Sequence, residues 1–291
     1  MSKSIHTDTR LGAVHLVVTN LDQSLKFYQE SLGFVLHSRS GTSAALGPGN
    51  TEGKPVGQIF LELNENPDAK PENRSTGLYH FAVLVPSRIE LARVLQRIVT
   101  TKTSMQGFAD HGVSEAIYLP DPDNNGIEIY RDRSRDDWPR NPDGNLAMVT
   151  DPFDFDGVMA ELQGKDEAWL GVSKGTQLGH MHLYVRDIAE AERFYSGTLG
   201  FDLLQRYGQS ASFVSAGGYH HHIGFNTWNG VGAPPPPADA IGLQWFDIQL
   251  PNSGELGKIA DRVRKAGLKP EDHRDGLFVQ DPSQNRIVIS A

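Results

Sequence analysis

Leu11-Gly12-Ala13-Val14-His15-Leu16, with Phe27-Tyr28 and Leu32-Gly33-Phe34 behind it, returns as Leu178-Gly179-His180-Met181-His182-Leu183, Phe194-Tyr195 and Leu199-Gly200-Phe201, each residue 167 positions on. A fainter echo links Gly77-Leu78-Tyr79-His80-Phe81 and Asp121-Pro122 to Gly242-Leu243-Gln244-Trp245-Phe246 and Asp281-Pro282. Self-similarity of this kind marks a repeated supersecondary unit. It also makes each copy a control for the others: where copies differ in polar residues, chemistry rather than packing is the suspect.

Each copy reads as a strand, a helix and further short strands. Residues 11–18 are rich in β-branched side chains, and Asn20 to Leu32 opens on capping residues and sets Leu21, Leu25, Tyr28 and Leu32 at helical spacing. Gly33 ends that helix, Phe34-Val35-Leu36 starts a strand, and another is expected at Gln58 to Leu63. The second copy predicts a strand at Leu78 to Val85, a helix at about Ile89 to Val99, and strands at Ala116 to Leu119 and Ile127 to Tyr130 around the turn Asp121-Pro122-Asp123-Asn124-Asn125-Gly126. The third runs from Gln177 to about Trp228 and the fourth from Ile241 onward, with the extended spacer Ala233-Pro234-Pro235-Pro236-Pro237 between them. This is an α+β chain of four βαβββ modules. The modules divide into an N-terminal domain over residues 1–135, a connection over 136–176 with a helix near Phe155 to Leu162, and a C-terminal domain over 177–291.

The 291 residues, 38% of them hydrophobic, suffice for two domains that each bury a core. A net charge of -9, with no basic cluster beyond Arg131-Asp132-Arg133-Ser134-Arg135, argues against nucleic acid or an anionic membrane as partner. With no cysteine, any metal must be held by His and carboxylate. The opening Met1-Ser2-Lys3-Ser4-Ile5-His6-Thr7-Asp8 has no apolar leader pattern, and no stretch reaches the ~18 apolar residues of a membrane span, so the expectation is a cytoplasmic protein.

His15, His80 and His182 stand at equivalent places in the first three modules, where the fourth has Trp245. One strand histidine is ordinary packing, but three at a repeat position are not. Glu128 follows Asp121-Pro122 at the distance where Val288 follows Asp281-Pro282. A carboxylate between Ile127 and Ile129 faces away from its apolar neighbours and needs either solvent or a partner. Two imidazoles and one carboxylate make a facial triad with open positions, best suited to iron(II), with manganese(II) second. The third module adds Tyr219-His220-His221-His222-Ile223-Gly224-Phe225, a run whose three imidazoles cannot share one strand face.

At these residues a resemblance emerges. His111, Ile117-Tyr118, Asp121-Pro122 and Glu128 are spaced as in the signature of extradiol ring-cleaving dioxygenases of the vicinal oxygen chelate superfamily. Ala109 and Asn124 depart from it, the latter where Gly or Pro is usual. His221-His222-Ile223-Gly224-Phe225 resembles that family's strand carrying an acid/base histidine. Within the family, Gly77-Leu78-Tyr79-His80-Phe81 and Ser215-Ala216-Gly217-Gly218-Tyr219-His220-His221-His222 are most similar to bacterial catechol 2,3-dioxygenases. The resemblance implies two vicinal oxygen chelate domains. It also implies a non-haem iron(II) site and ring opening of a small aromatic diol beside its hydroxyls by dioxygen, in aromatic hydrocarbon catabolism.

The module order departs from the family's usual arrangement, in which the fourth module supplies a metal histidine, the tyrosine and the glutamate. Here those residues lie in the second module. The expected ligands are therefore His80, Glu128 and His182, with the second and third modules closing around the metal. The rival set is His15, His80 and Glu128. His221 is expected as acid/base, with His220 and His222 as alternatives, and Tyr118 and His111 as hydrogen-bonding partners of the substrate oxygens. A glyoxalase-like metal-dependent lyase or isomerase, for which Glu62 is the spare carboxylate, and a metal-free binding protein are the other readings. A homo-oligomer is compatible with all three.

Overall fold

The first module is β1 (Arg10–Val18), α1 (Leu21–Glu30), β2 (Val35–Ser40), β3 (Ser43–Gly47) and β4 (Leu61–Glu65). The second is β5 (Gly77–Leu84), α2 (Arg88–Thr100), β6 (Gly107–Asp110), β7 (Ser114–Pro120) and β8 (Gly126–Asp132), and α3 (Phe155–Ala160) lies in the connection. The third holds β9 (Gln177–Tyr184), α4 (Ile188–Glu192) continued by a π-helical stretch (Arg193–Leu199), β10 (Asp202–Tyr207), β11 (Ala211–Ser215) and β12 (Ile223–Asn226). The fourth holds β13 (Gly242–Gln249), α5 (Ser253–Lys265), β14 (Glu271–His273), β15 (Gly276–Gln280) and β16 (Arg286–Ser290). This computed structural model describes residues 4–165 and 168–291. Met1–Lys3, at the head of the stretch read as leaderless, and Asp166 and Glu167, in the connection, lie outside the described residues.

The strands form two eight-stranded sheets, ordered β14-β15-β16-β13-β1-β4-β3-β2 and β10-β11-β12-β9-β5-β8-β7-β6. Each sheet draws one module from either half of the chain. Contacts divide the chain into two units, one of Met1–His15, Lys70–Tyr79 and Gly179–Ala291, the other of Leu16–Ala69 and His80–Leu178. No helix among the described residues is long and apolar enough to cross a membrane.

Helix starts follow the caps. Asn20 accepts from the Gln23 amide at 2.8 Å, Asp187 from Glu190 at 2.7 Å and Asn252 from Glu255 at 3.1 Å, each satisfying an amide the helix itself cannot. α1 buries Leu21, Leu25 and Tyr28, and the chain leaves it through Gly33, whose φ of 73° is a left-handed turn that glycine adopts without Cβ strain. Gly200, with φ of 90°, does the same in the third module.

The repeated Asp-Pro pairs are turn builders. In the second unit Asp121 Oδ1 accepts the amides of Asp123 and Asn125 at 2.9 and 2.7 Å, while Oδ2 accepts from Asn125 Nδ2 and from the Tyr28 hydroxyl, at 2.9 and 2.8 Å. In the first unit Asp281 repeats the pattern with Ser283, Asn285 and the Tyr195 hydroxyl, the last at 3.0 Å. Burial pushes both carboxyls up to about 6, against which these donors pull down. Asn124, the departure from the family pattern, has φ of 67°, as does its counterpart Gln284 at 66°. Asn is among the side chains that tolerate this left-handed region best, so the turn survives without Gly.

One strand begins later than its sequence suggests. The run from Tyr219 to His222 precedes the strand, and β12 begins only at Ile223. Gly217 and Gly218, with φ of 60° and 66°, turn the chain after β11, and a Cβ on Gly217 would stand 2.5 Å from the Thr7 carbonyl. The three imidazoles are therefore freed from strand alternation, and all three are buried.

Candidate metal and active site

In the second unit, strand register gathers the second module's polar residues. Glu128 on β8 pairs with Ala82 of β5 on one side and Tyr118 of β7 on the other, so His80, two residues before Ala82, shares their face. His80 Nε2 lies 3.1 Å from Glu128 Oε2, with both side chains under 10% exposed. The Tyr118 ring is 5.7 Å from the His80 ring, and the Tyr118 hydroxyl is 2.8 Å from His111 Nε2. His111 Nδ1 is 2.7 Å from the Val149 carbonyl oxygen. Behind this face Glu115 is buried under Arg88, Arg131 and Arg133. Burial acts to raise its pKa, but Arg88 and Arg131 outweigh it and hold the carboxyl below its ordinary value.

In the first unit, the histidines of the third module cluster. The His221 ring lies 4.1 Å from that of His180, and the His220 ring 6.1 Å from it. His220 and His221 face each other through their Nδ1 atoms at 2.9 Å, so in a neutral pair one nitrogen donates and the other accepts. His222 turns away: its Nδ1 accepts from the Ala216 amide at 3.2 Å and sits 2.9 Å from Ser215 Oγ. Of the run, His221 is the ring against His180.

His80, Glu128 and His180 form a buried group that could hold a metal ion, their ligand atoms all within 4.8 Å of one another. Two imidazoles and a carboxylate suit iron(II), manganese(II) or zinc(II), and a cation stabilises a carboxylate buried beside neutral rings.

His182, expected as the third ligand, stands elsewhere. Asn226 Oδ1 accepts from the Trp228 amide at 3.0 Å, which fixes the side-chain amide with Nδ2 toward His182 Nε2, also at 3.0 Å. That nitrogen is thereby engaged as an acceptor. The ring is enclosed by Tyr79, Phe213 and Trp228, at centroid distances of 5.0, 5.6 and 5.6 Å. Gly224, paired with His182, leaves the room: a Cβ there would lie 3.2 Å from both the His182 and Phe213 rings. His15, the rival ligand, is also outside the group. Its Nε2 faces Asp247 Oδ2 at 3.1 Å and its ring stacks on Trp245 at 4.1 Å. Glu62 pairs with Ala45 on β3 and belongs to no such group among the described residues.

A signal for His180 was present in the sequence. His80 is the fourth residue of β5 and His180 the fourth of β9, whereas the 167-residue offset to the first module sets His180 against Ala13 and so hides it.

A repeated βαβββ module, two eight-stranded sheets and a buried His/His/Glu group define the class. The chain belongs to the Glyoxalase/Bleomycin resistance protein/Dioxygenase superfamily, matched over residues 10–129 and 177–289. Over 288 residues, 98% of either chain, it is 44% identical to the Catechol-2,3-dioxygenase of Bacillus subtilis (strain 168), and it is an enzyme of that catechol-2,3-dioxygenase-like kind. Over 139 residues, 46% of this chain and 93% of the relative, it is 30% identical to a Lactoylglutathione lyase of Neisseria meningitidis serogroup A. The crystal structure of glyoxalase I from Zea mays shares the fold, with a TM-score of 0.59 at 15% identity over 97% of this chain and 92% of that one.

Proposed function

We propose that this chain opens the ring of a catechol beside its two hydroxyls, incorporating both atoms of dioxygen, with iron(II) held by His80, Glu128 and His180. The observation that carries the reading is the buried group of these three with the His221 ring 4.1 Å from His180. The near full-length likeness to a catechol-2,3-dioxygenase supports it.

The chain's own residues then have distinct tasks. His221, a buried imidazole beside His180, takes a hydroxyl proton of the diol. Tyr118 offers its oxygen to a substrate hydroxyl, held by His111. Burial of all three ligands excludes water and strengthens every polar contact inside. When bound, iron(II) supplies Lewis acidity toward the diol oxygens and redox chemistry with dioxygen. We place the enzyme in the cytoplasm and in aromatic compound catabolism, with a homo-oligomer compatible with the reading.

The test is oxygen consumption with catechol by protein reconstituted anaerobically with iron(II), read together with the yellow ring-opened product. Iron-dependent uptake and yellow product in the wild type, both lost in His80→Ala, are expected. Tight metal binding with no oxygen uptake across several catechols would overturn the reading in favour of a metal-dependent lyase or isomerase.

A further inference from the structure

His111 resembles a substrate-binding histidine, yet both of its ring nitrogens are already engaged. Nδ1 is 2.7 Å from the Val149 carbonyl oxygen and Nε2 is 2.8 Å from the Tyr118 hydroxyl. A carbonyl oxygen can only accept, so Nδ1 must carry a proton. In the neutral ring Nε2 is then a bare lone pair, and the Tyr118 O–H must donate to it. The Tyr118 oxygen is left with lone pairs alone to offer elsewhere.

Val149 belongs to the connection, and several contacts lay that segment over the β6–β7 hairpin. The Val149 amide donates to the His111 carbonyl at 3.2 Å, and Asp110 and Asp151 exchange both backbone hydrogen bonds, at 3.0 and 2.8 Å. Phe153 and Phe155 rest on Phe108 at 5.3 and 6.4 Å. Asp154, which caps α3, is held by Arg88 at 2.7 Å, and the same guanidinium grips the buried Glu115. Gly112, with φ of 72°, permits the approach: a Cβ there would stand 2.8 Å from Pro139 Cγ and 3.3 Å from Val149 Cγ2.

We propose that the 147–161 segment is a positioning strap, whose Val149 carbonyl fixes the proton of His111 on Nδ1 and thereby makes Tyr118 a hydrogen-bond acceptor toward a substrate hydroxyl. His111 is then a positioning residue that acts through Tyr118, and the ligand group Tyr118 recognises is an O–H rather than an ionised oxygen. This rests on the reading of the site as one for an aromatic diol, but the state of His111 can be read without turnover.

The experiment is nitrogen-15 imidazole NMR of the full-length protein, with the His111 signals assigned by their loss in His111→Gln. A protonated Nδ1 with a pyridine-type Nε2 is expected, and a bare Nδ1 would overturn the proposal whether or not the protein consumes oxygen. The double variant Phe153→Ala/Asp154→Ala loosens the strap without touching Tyr118. Mixed tautomers and a kcat lowered about tenfold with KM for catechol little changed are expected. His111→Gln, which keeps an acceptor oxygen near the Nε2 position, should retain more activity than His111→Asn. A double variant that loses thermal stability but keeps the wild-type tautomer and kcat would reduce the strap to a structural brace and sink the proposal.

Discussion

His180 and His182 are two residues apart on one strand, and the difference between them is decided by what each nitrogen meets. His182 has its Nε2 occupied by an amide that Trp228 locks in orientation, and its ring is walled by aromatics. His180 lies against His221 and belongs with His80 and Glu128. His180→Ala should therefore abolish stoichiometric iron binding, whereas His182→Ala should keep the iron and lose stability instead. The loss in His182→Ala is about 2 kcal/mol or more, from a cavity and an amide left without its acceptor. Metal analysis after anaerobic loading decides it, and iron retained in His180→Ala would return His182 or His15 to the ligand set. The polar differences between modules pointed to His80, Glu128 and His182 as candidate ligands, with His15 as rival, and the structure groups the first two with His180 instead. The sequence did not single out His180, because the 167-residue offset sets His182 against His15 and His180 against Ala13.

At the scale of elements, the Asp-Pro turns carry more of the fold than their sequence suggested. They were legible as turns, but their tyrosine partners, 93 and 86 residues away, were not, because nothing local marks a helix residue as a hydrogen-bond donor to a distant loop. The His220–His222 run was misread for a related reason: alternation assumes a strand, and the left-handed pair Gly217-Gly218 turns the chain five residues before β12 begins. Tyr195→Phe leaves the buried Asp281 short of one donor and should cost about 1.5–3 kcal/mol in urea unfolding. The carboxyl also gives a pH signature. Its folded pKa is raised to about 6, from the ordinary 3.8, chiefly by burial, so between those values the folded state holds the extra proton. The stability this supplies is fully present below the unfolded pKa and is lost as pH rises through about 6. Measured against Asp281→Asn, the wild type should lose up to about 1.4 kcal/mol per pH unit across that window. A difference that instead grew with pH would mean that the hydrogen bonds outweigh burial there.

For the whole molecule, duplication explains why the architecture could be read and the site only partly. The βαβββ pattern recurs because each copy must bury the same apolar positions, and those positions repeat in the sequence. Chemistry has no such redundancy, since Ala13, Trp245 and Val288 stand in the other sheet where His180, His80 and Glu128 stand in this one. A carboxylate and two imidazoles buried together are a cost to the folded chain that a bound cation offsets, so metal affinity and stability must be linked. At free iron(II) a hundredfold above its dissociation constant, binding to the folded state alone adds about 2.7 kcal/mol. For a chain of this size, that corresponds to a rise in Tm of roughly 4–5 °C. Calorimetry with and without chelator, kept anaerobic, should show this shift in the wild type and none in His80→Ala. A wild-type Tm indifferent to chelator, in protein shown by analysis to have carried iron, would place the metal at a site other than His80, Glu128 and His180.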